Sequence, residues 1–450
     1  MLKRKIIVIG GSAAGPAAAA KAKRVNPEHE VVMYEAGEYI SIGTCEIPYV
    51  LSGEIDNYEK ILFYNPESYE SEKKVRVKNF HRVESIDRIK KRIFVRDTKN
   101  NIQFNDNYDK LILCTGSVKR FHPEFPKGLK NVFYLKTVDD LRAIQRFIQE
   151  KKITNSVIIG AGLTGLESIA FVSKYSGSVL LIDSNPLPLN GYSEEVQKIV
   201  LDKLHSDKIE FLGGVSSVSP KLKNDYVEAI VIDGEVHSVD FVLVTIGFEP
   251  NTSLSQASKL SHHKDNAIRV DRKLQTSDDN IFAAGDCISV ENFITKKPMW
   301  LPLATLSHNF GHVAGANAAG ESFYAESVVK NLLLKLGDLS IAHVGLTWKE
   351  IKNFGIHCEE LSAVGNSRIK IIPNGEKHFV KIFYESRTKK IIGADLIGGE
   401  DIIGKANLLS FAIKNNITMN KLNAVDYAYT PVLSTFIETL SIMGRKAGTD

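Results

Sequence analysis

Two glycine-rich turns, each between an apolar strand and a helix and each followed by a second strand ending in an acid, predict an α/β chain with two Rossmann-like dinucleotide-binding folds. Apolar strands and helices near the C-terminus add an α+β domain. The length agrees, because 450 residues at 43% hydrophobic and 24% charged fill roughly three domains of about 150 residues each. A formal charge of +4, from 57 basic and 53 acidic residues, predicts neither a nucleic-acid nor a membrane partner. Cys45, Cys114, Cys287 and Cys358 show neither zinc-site pairing nor a secreted disulfide framework, so a cytoplasmic protein is expected.

Met1-Leu2-Lys3-Arg4-Lys5 and the apolar run behind it imitate a secretory signal, but Gly10, Gly11, Gly15 and Pro16 interrupt the run. Those residues are better explained as part of a βαβ unit. Ile6-Ile7-Val8-Ile9 reads as a strand buried on both faces. The turn Gly10-Gly11-Ser12-Ala13-Ala14-Gly15 opens an alanine-rich helix, and Val31-Val32-Met33-Tyr34 ends at Glu35. Small residues let backbone approach a diphosphate, the helix N-terminus supplies free N–H groups, and Glu35 can accept ribose hydroxyls. Ser12 replaces the second glycine of the fingerprint.

The second copy is complete. Val157-Ile158-Ile159 precedes Gly160-Ala161-Gly162-Leu163-Thr164-Gly165, a helix is expected over 166–175, and a strand over 179–182 ends at Asp183. A carboxylate at that position favours free ribose hydroxyls and repels a 2′-phosphate, which predicts NADH rather than NADPH. Further on, Leu111-Ile112-Leu113-Cys114-Thr115-Gly116-Ser117 and Ile281-Phe282-Ala283-Ala284-Gly285-Asp286 read as strand-to-turn segments. Cys114 and Cys287 are expected to be buried structural thiols, and His262 and His263 to lie in a solvated loop. In the last domain Ile371-Ile372, 379–383 and 391–396 read as antiparallel strands, and 408–413 and 432–442 as helices.

Together these segments resemble the pyridine nucleotide-disulfide oxidoreductase family across the whole chain. The resemblance implies FAD at the first nucleotide site and NAD(P)H at the second. It divides the chain into 1–118 for FAD, 119–247 for NAD(P)H, 248–330 for FAD again, and 331–450 for a dimerisation domain. Cofactor contacts are expected at Gly10, Ser12, Ala13, Gly15, Glu35, Thr115, Gly116, Gly160, Gly162, Gly165, Asp183, Gly247, Gly285, Asp286 and Ala304. A dithiol enzyme of the glutathione-reductase type needs a second cysteine separated from Cys45 by four intervening residues, but those positions are Ile40 and Val50. Ser41-Ile42-Gly43-Thr44-Cys45-Glu46-Ile47-Pro48-Tyr49 is instead similar to the single-cysteine subgroup: coenzyme A disulfide reductases, NADH oxidases, NADH peroxidases and persulfide or polysulfide reductases.

The oxidases and peroxidases of that subgroup carry a histidine where this chain has Ala13, which argues against peroxide chemistry through a sulfenic acid. The coenzyme A disulfide reductases are more similar at that turn. Their resemblance places Lys21, Arg24, Ser41, Thr44, Lys73 and His308 at the substrate, where cations suit the phosphates of coenzyme A. Tyr427-Ala428-Tyr429-Thr430-Pro431-Val432-Leu433-Ser434 resembles the segment that reaches the partner's active site in a homodimer, with Tyr429 selected by the serine and Tyr427 as its rival. Two departures stand out: no tyrosine occurs near Arg368-Ile369-Lys370-Ile371-Ile372, and Leu163 replaces an aromatic residue. The expected activity is electron transfer from NADH through FAD and Cys45 to coenzyme A disulfide, a persulfide or a polysulfide. An NADH oxidase or peroxidase, and a flavin-bound redox sensor with little turnover, are the alternatives.

Overall fold

The run Ile6-Ile7-Val8-Ile9 becomes the middle strand, Lys5–Ile9, of a five-stranded parallel sheet in a computed structural model describing residues 3–448. Met1 and Leu2 of the signal-like run lie outside the described residues. The strand order is Ile281–Ala283, Lys110–Leu113, Lys5–Ile9, Glu30–Tyr34, Arg76–Lys78. Ile6, Ile7 and Val8 are wholly buried, which is why the run shows no polar alternation. Ile9 pairs with both Tyr34 and Leu113, so Gly10, Glu35 and Cys114 emerge at one edge of the sheet.

A second five-stranded parallel sheet repeats the plan in the order Val132–Tyr134, Phe241–Val244, Ile153–Ile159, Ser176–Asp183, Glu210–Gly213. Ile159 pairs with Ile182 and Val244, which brings Gly160, Asp183 and Thr245 to the same edge. In both sheets the strand order reverses at the strand feeding the glycine turn, where an open α/β sheet leaves a crevice for ligands.

The alanine-rich helix Ala14–Val25 lies against the helix Ala304–Ala318, though nearly three hundred residues of chain separate them. The approach depends on small side chains. A Cβ on Gly315 would stand 2.1 Å from the carbonyl oxygen of Ala18. Both chain crossings between the nucleotide units run side by side: Ser117–Lys119 pairs antiparallel with Phe248–Pro250. The Thr115 hydroxyl donates to the Asn251 carbonyl at 2.6 Å, and the Asn251 amide returns a bond to the Thr115 carbonyl at 3.1 Å.

The C-terminal sheet is antiparallel, in the order Asn331–Leu336, Leu339–Gly345, Ile391–Gly398, Lys377–Glu385, Cys358–Asn366. The helix Ile402–Lys414 covers it. Two bonds tie this sheet to the second nucleotide unit. Buried Asp395 accepts from His343 at 2.7 Å and from the Ser193 backbone N–H at 2.6 Å, and Lys381 pairs with Glu195 at 2.9 Å.

Three expectations are corrected. Ile371-Ile372 is not a strand: the neighbouring turn at Asn374, with φ of 61°, interrupts extension, and Ile371 is 84% exposed. The helix expected over 432–442 begins only at Thr439, where the Glu438 carboxylate caps the Thr439 N–H; the residues before it, including Leu433 and Phe436, turn outward. His262 is half-buried rather than solvated, its Nε2 at 2.8 Å from the Ser255 hydroxyl. Cys114 and Cys287 are buried as expected.

Gly315→Ala should destabilise the protein by about 1–3 kcal/mol, the usual cost of forcing a methyl into a filled contact. A denaturant midpoint unchanged from wild type would show that the two helices tolerate the added Cβ.

Candidate active site

Both glycine turns use the same local geometry. Gly10 and Gly160 have φ of 106° and 111°, conformations in which a side chain would strain the backbone. A Cβ on Gly15 would stand 1.8 Å from the Gly10 carbonyl oxygen, and one on Gly165 1.9 Å from that of Gly160. Each turn delivers the chain into a helix, Ala14–Val25 or Leu163–Tyr175, that has neither a side-chain N-cap nor an acid in its first turn. Ser12 and Ala13 stand just before the first helix, and Gly162 just before the second, with no atom within 4 Å of where its Cβ would be.

The two acids are held alike. Glu35 accepts from the N–H groups of Gly11 and Gly37, both at 2.7 Å. Asp183 accepts from Ala161 at 2.7 Å and Asn185 at 2.8 Å. Helix N-termini without a capping side chain or a first-turn acid, and a carboxylate fixed at the end of the next strand, suit a dinucleotide's diphosphate and ribose. The sequence reading gave Asn185 no role.

Asp286 follows Gly285, which packs on Ala14 at the end of the first turn. Its carboxylate accepts from the hydroxyls of Ser117 and Ser307, both at 2.8 Å, and Lys136 approaches to 4.0 Å. Ser307 belongs to the helix that Ala304 opens, another helix without a side-chain cap or an acid in its first turn. Gly285 packs against Ala14, while Gly116 and Gly247 flank the paired crossings. Lys136 follows the strand Val132–Tyr134 and stacks its ammonium 4.5 Å from the Phe248 ring centroid.

Cys45 sits in the single turn Thr44–Glu46, ahead of the short helix Ile47–Ser52. It is exposed, yet protein crowds the sulfur enough for burial to lead the rise in its pKa. Glu46, Glu167 and Asp286 raise it further, and Lys136 opposes them. The chain's own charges therefore favour the thiol over the thiolate. Ser41 has φ of 52° and donates its N–H to the Gly11 carbonyl at 2.7 Å, which folds the cysteine segment back onto the first glycine turn.

Glu167 enters from the second nucleotide unit. Burial pushes its carboxyl up to about 7, although a hydrogen bond from Tyr49, at 3.4 Å, opposes the shift. The sequence pattern marks neither Lys136 nor Glu167, and it includes Tyr49 only as the end of the Cys45 motif. The available signal was Glu167 itself, the one charged residue in the run Leu166 to Val172.

The predicted substrate residues divide into two groups. Lys21, Arg24 and His308 come together where the helices Ala14–Val25 and Ala304–Ala318 pack, with His312 between Arg24 and His308. Lys73, at the end of the helix Pro66–Lys73, pairs with Glu72 and lies 5.2 Å from the Tyr64 ring centroid. Thr44 is half-buried beside Cys45. Tyr427 donates its hydroxyl to the Leu422 carbonyl at 3.0 Å, whereas Tyr429 is 45% exposed with its ring edge-on to Phe436.

Comparison with known proteins decides the family. The profile described as pyridine nucleotide-disulphide oxidoreductase matches residues 4–317, and that family's dimerisation domain matches residues 334–440. The chain belongs to the pyridine nucleotide-disulphide oxidoreductase family. It is a flavoprotein oxidoreductase, and the family's cofactors are FAD and NAD(P)H. An NADH oxidase of Methanocaldococcus jannaschii is 31% identical, over 98% of each chain. An NAD(P)H coenzyme A polysulfide/persulfide reductase of Pyrococcus horikoshii is 27% identical, over 99% of this chain and 98% of its own. The crystal structure of reduced CoADR-RHD from Bacillus anthracis superposes with a TM-score of 0.94 at 28% identity, over 99% of this chain and 80% of that one. Among the described residues no helix is long and apolar enough to cross a membrane.

Replacing Lys136 by Met removes the cation that opposes the carboxylates around Cys45. The Cys45 pKa should rise, so alkylation by iodoacetamide at pH 8 should slow about threefold. An unchanged rate–pH profile would show that Lys136 does not act on the sulfur.

Proposed function

We propose that this protein carries electrons from NADH through FAD to Cys45 and on to the disulfide of coenzyme A or a related persulfide or polysulfide. One observation carries the reading: an exposed cysteine, without a neighbouring cysteine partner, stands among Asp286, Lys136 and Glu167, while Arg24 and His308 gather around His312, with Lys21 in reach, on two packed helices, one of which bonds Asp286 through Ser307. His308 follows Ser307, which bonds Asp286 directly. The division 1–118 with 248–330 for FAD, 119–247 for NADH and 331–450 for dimerisation accords with the sheet topology.

The residues fit both dinucleotides. FAD would lie along Gly10, Ser12, Ala13 and Gly15, with Glu35 at its ribose, Thr115, Gly116 and Asp286 along its length, and Ala304 opening the helix beside it. NADH would use Gly160, Gly162, Gly165 and Asp183, with Gly247 at the crossing. Bound FAD supplies the relay that turns a hydride donor into a two-electron reductant of sulfur. Cys45, as the thiolate, attacks one sulfur of the acceptor disulfide. The S–S bond breaks, one thiolate departs and takes a proton, and the other half stays joined to Cys45. The electron pair from NADH then frees that second thiol and restores the Cys45 thiolate. Because the chain's carboxylates disfavour a free thiolate, the electron-poor oxidised flavin is its necessary partner.

Tyr429 is the better of the two tyrosines for protonating the departing thiolate, because the Tyr427 hydroxyl is spent on its own backbone. It would act across a homodimer, whose surface is supplied by the exposed Tyr429, Leu433 and Phe436. An NADH oxidase is the second reading, favoured by the Methanocaldococcus jannaschii relative of that name. Ala13 weighs against it, since it leaves no imidazole at that turn beside the sulfur.

Cys45→Ser should retain yellow FAD and lose turnover on coenzyme A disulfide and polysulfide by about a thousandfold, the scale expected when a covalent nucleophile is removed. Undiminished disulfide reduction would remove Cys45 from the reaction, and rapid oxygen consumption by the wild type would favour the oxidase. For the nucleotide, kcat/KM should favour NADH over NADPH by about tenfold or more, and Asp183→Ala should narrow the gap. A preference for NADPH would contradict the role given to Asp183.

A further inference from the structure

His308 and His312 lie one turn apart on the helix Ala304–Ala318, ring centroids 4.6 Å apart and nearly perpendicular. Their Nε2 atoms are 3.1 Å apart, and the Arg24 guanidinium lies 3.2 Å from His312 Nδ1. The chemistry of the donors fixes the protons. Arg24 can only donate, so His312 Nδ1 must hold a lone pair. A neutral His312 then carries its proton on Nε2 and donates it to Nε2 of His308, which leaves the His308 proton on Nδ1, free to point outward. The result is a relay from Arg24 through His312 to His308.

The surroundings make this arrangement sensitive to anions. Lys21 and Arg24 face the pair from the helix Ala14–Val25, and His308 faces it from its own helix. The Lys21 ammonium is drawn away toward Glu321, at 3.3 Å, and the buried Tyr69 phenol of the helix Pro66–Lys73 lies in the field of Arg24. Burial is the first cause that lowers the His312 pKa, followed by the proximity of the His308 ring, with which it would compete for a proton, and by the positive field of Arg24 and Lys21. A polyphosphate bound at this surface would draw Arg24 off His312 Nδ1 and offset the field that keeps the ring uncharged.

We propose that Arg24 and a proton compete for Nδ1 of His312, so that the surface takes up one proton from solvent as a polyphosphate group takes Arg24. This rests on the reading of the surface as the coenzyme A site and adds to it a positioning residue, His312, and a linkage between substrate affinity and pH. Protonated at Nδ1, His312 still donates Nε2–H to His308, so His308 keeps its orientation while Arg24 is released to the phosphate. Tighter binding of the anion at lower pH follows directly from that proton uptake.

The test is isothermal titration of coenzyme A into the FAD-loaded protein, in two buffers of different ionisation enthalpy, with inorganic pyrophosphate as a second probe. His312→Gln is the informative substitution, because an amide accepts from Arg24 and donates to His308 but does not titrate. Proton uptake by the wild type should exceed that of His312→Gln by about half a proton or more. The wild-type Kd should tighten about tenfold more than that of His312→Gln between pH 8 and pH 6, while the two agree within about threefold at pH 8. Equal proton uptake by the two proteins would overturn the proposal. Proton-linked binding of pyrophosphate without binding of coenzyme A would retain the linkage and remove the coenzyme reading, and binding of neither anion would remove both. A measurement independent of how well His312→Gln folds is the ring 15N spectrum of the free wild-type protein. It should show His312 with its proton on Nε2, and a proton on Nδ1 would refute the competition.

Discussion

The contact between the helices Ala14–Val25 and Ala304–Ala318 is the constraint on which the site depends. Backbone meets backbone there because Gly315 faces Ala18, and only residues with little or no side chain permit such proximity. The contact sets Lys21 and Arg24 against His308 and His312, and it places Ser307, with Asp286, beside the first glycine turn. A sequence that brings its start together with residues beyond position 300 has to tolerate a large loss of chain entropy, and the buried alanines of both helices are part of what offsets it.

The electrostatics of Cys45 oppose what the proposed chemistry requires. Glu46, Glu167 and Asp286 all disfavour a negative sulfur, and a single ammonium, itself pushed toward neutrality by burial, works against them. A thiolate that the protein alone stabilised would be open to any oxidant that reached this exposed position. In the proposed cycle that stability would come from bound FAD, which would tie the reactive state to the loaded enzyme.

The parts legible in sequence were those whose determinants are local. A β-branched run, a glycine turn and an acid after the next strand announce a βαβ unit because each acts within about thirty residues. Cys45 stood out through its immediate neighbours. Lys136 and Glu167 did not, because each gains significance only when the second nucleotide unit folds against the Cys45 segment. His312 was hidden for the same reason: its partner Arg24 lies on a helix 288 residues earlier. Apolar character misleads where it does not mark an internal face. Leu433 and Phe436 are apolar but point outward, so the helix expected through them has nothing within the chain to pack on. At Ile371-Ile372 turn-forming residues just downstream outweighed β-branching.

The second nucleotide unit is anchored at two places. On one side the paired crossings are stitched by Thr115 and Asn251; on the other, Asp395 holds Ser193 and Lys381 holds Glu195. A body pinned along one margin behaves as a door, but one pinned along opposite margins behaves as a bridge. Wide opening would require breaking a buried carboxylate's bonds, which is costly. At the proposed site, exchange of spent for fresh nucleotide would then proceed by the ligand sliding in and out while the two units keep their places.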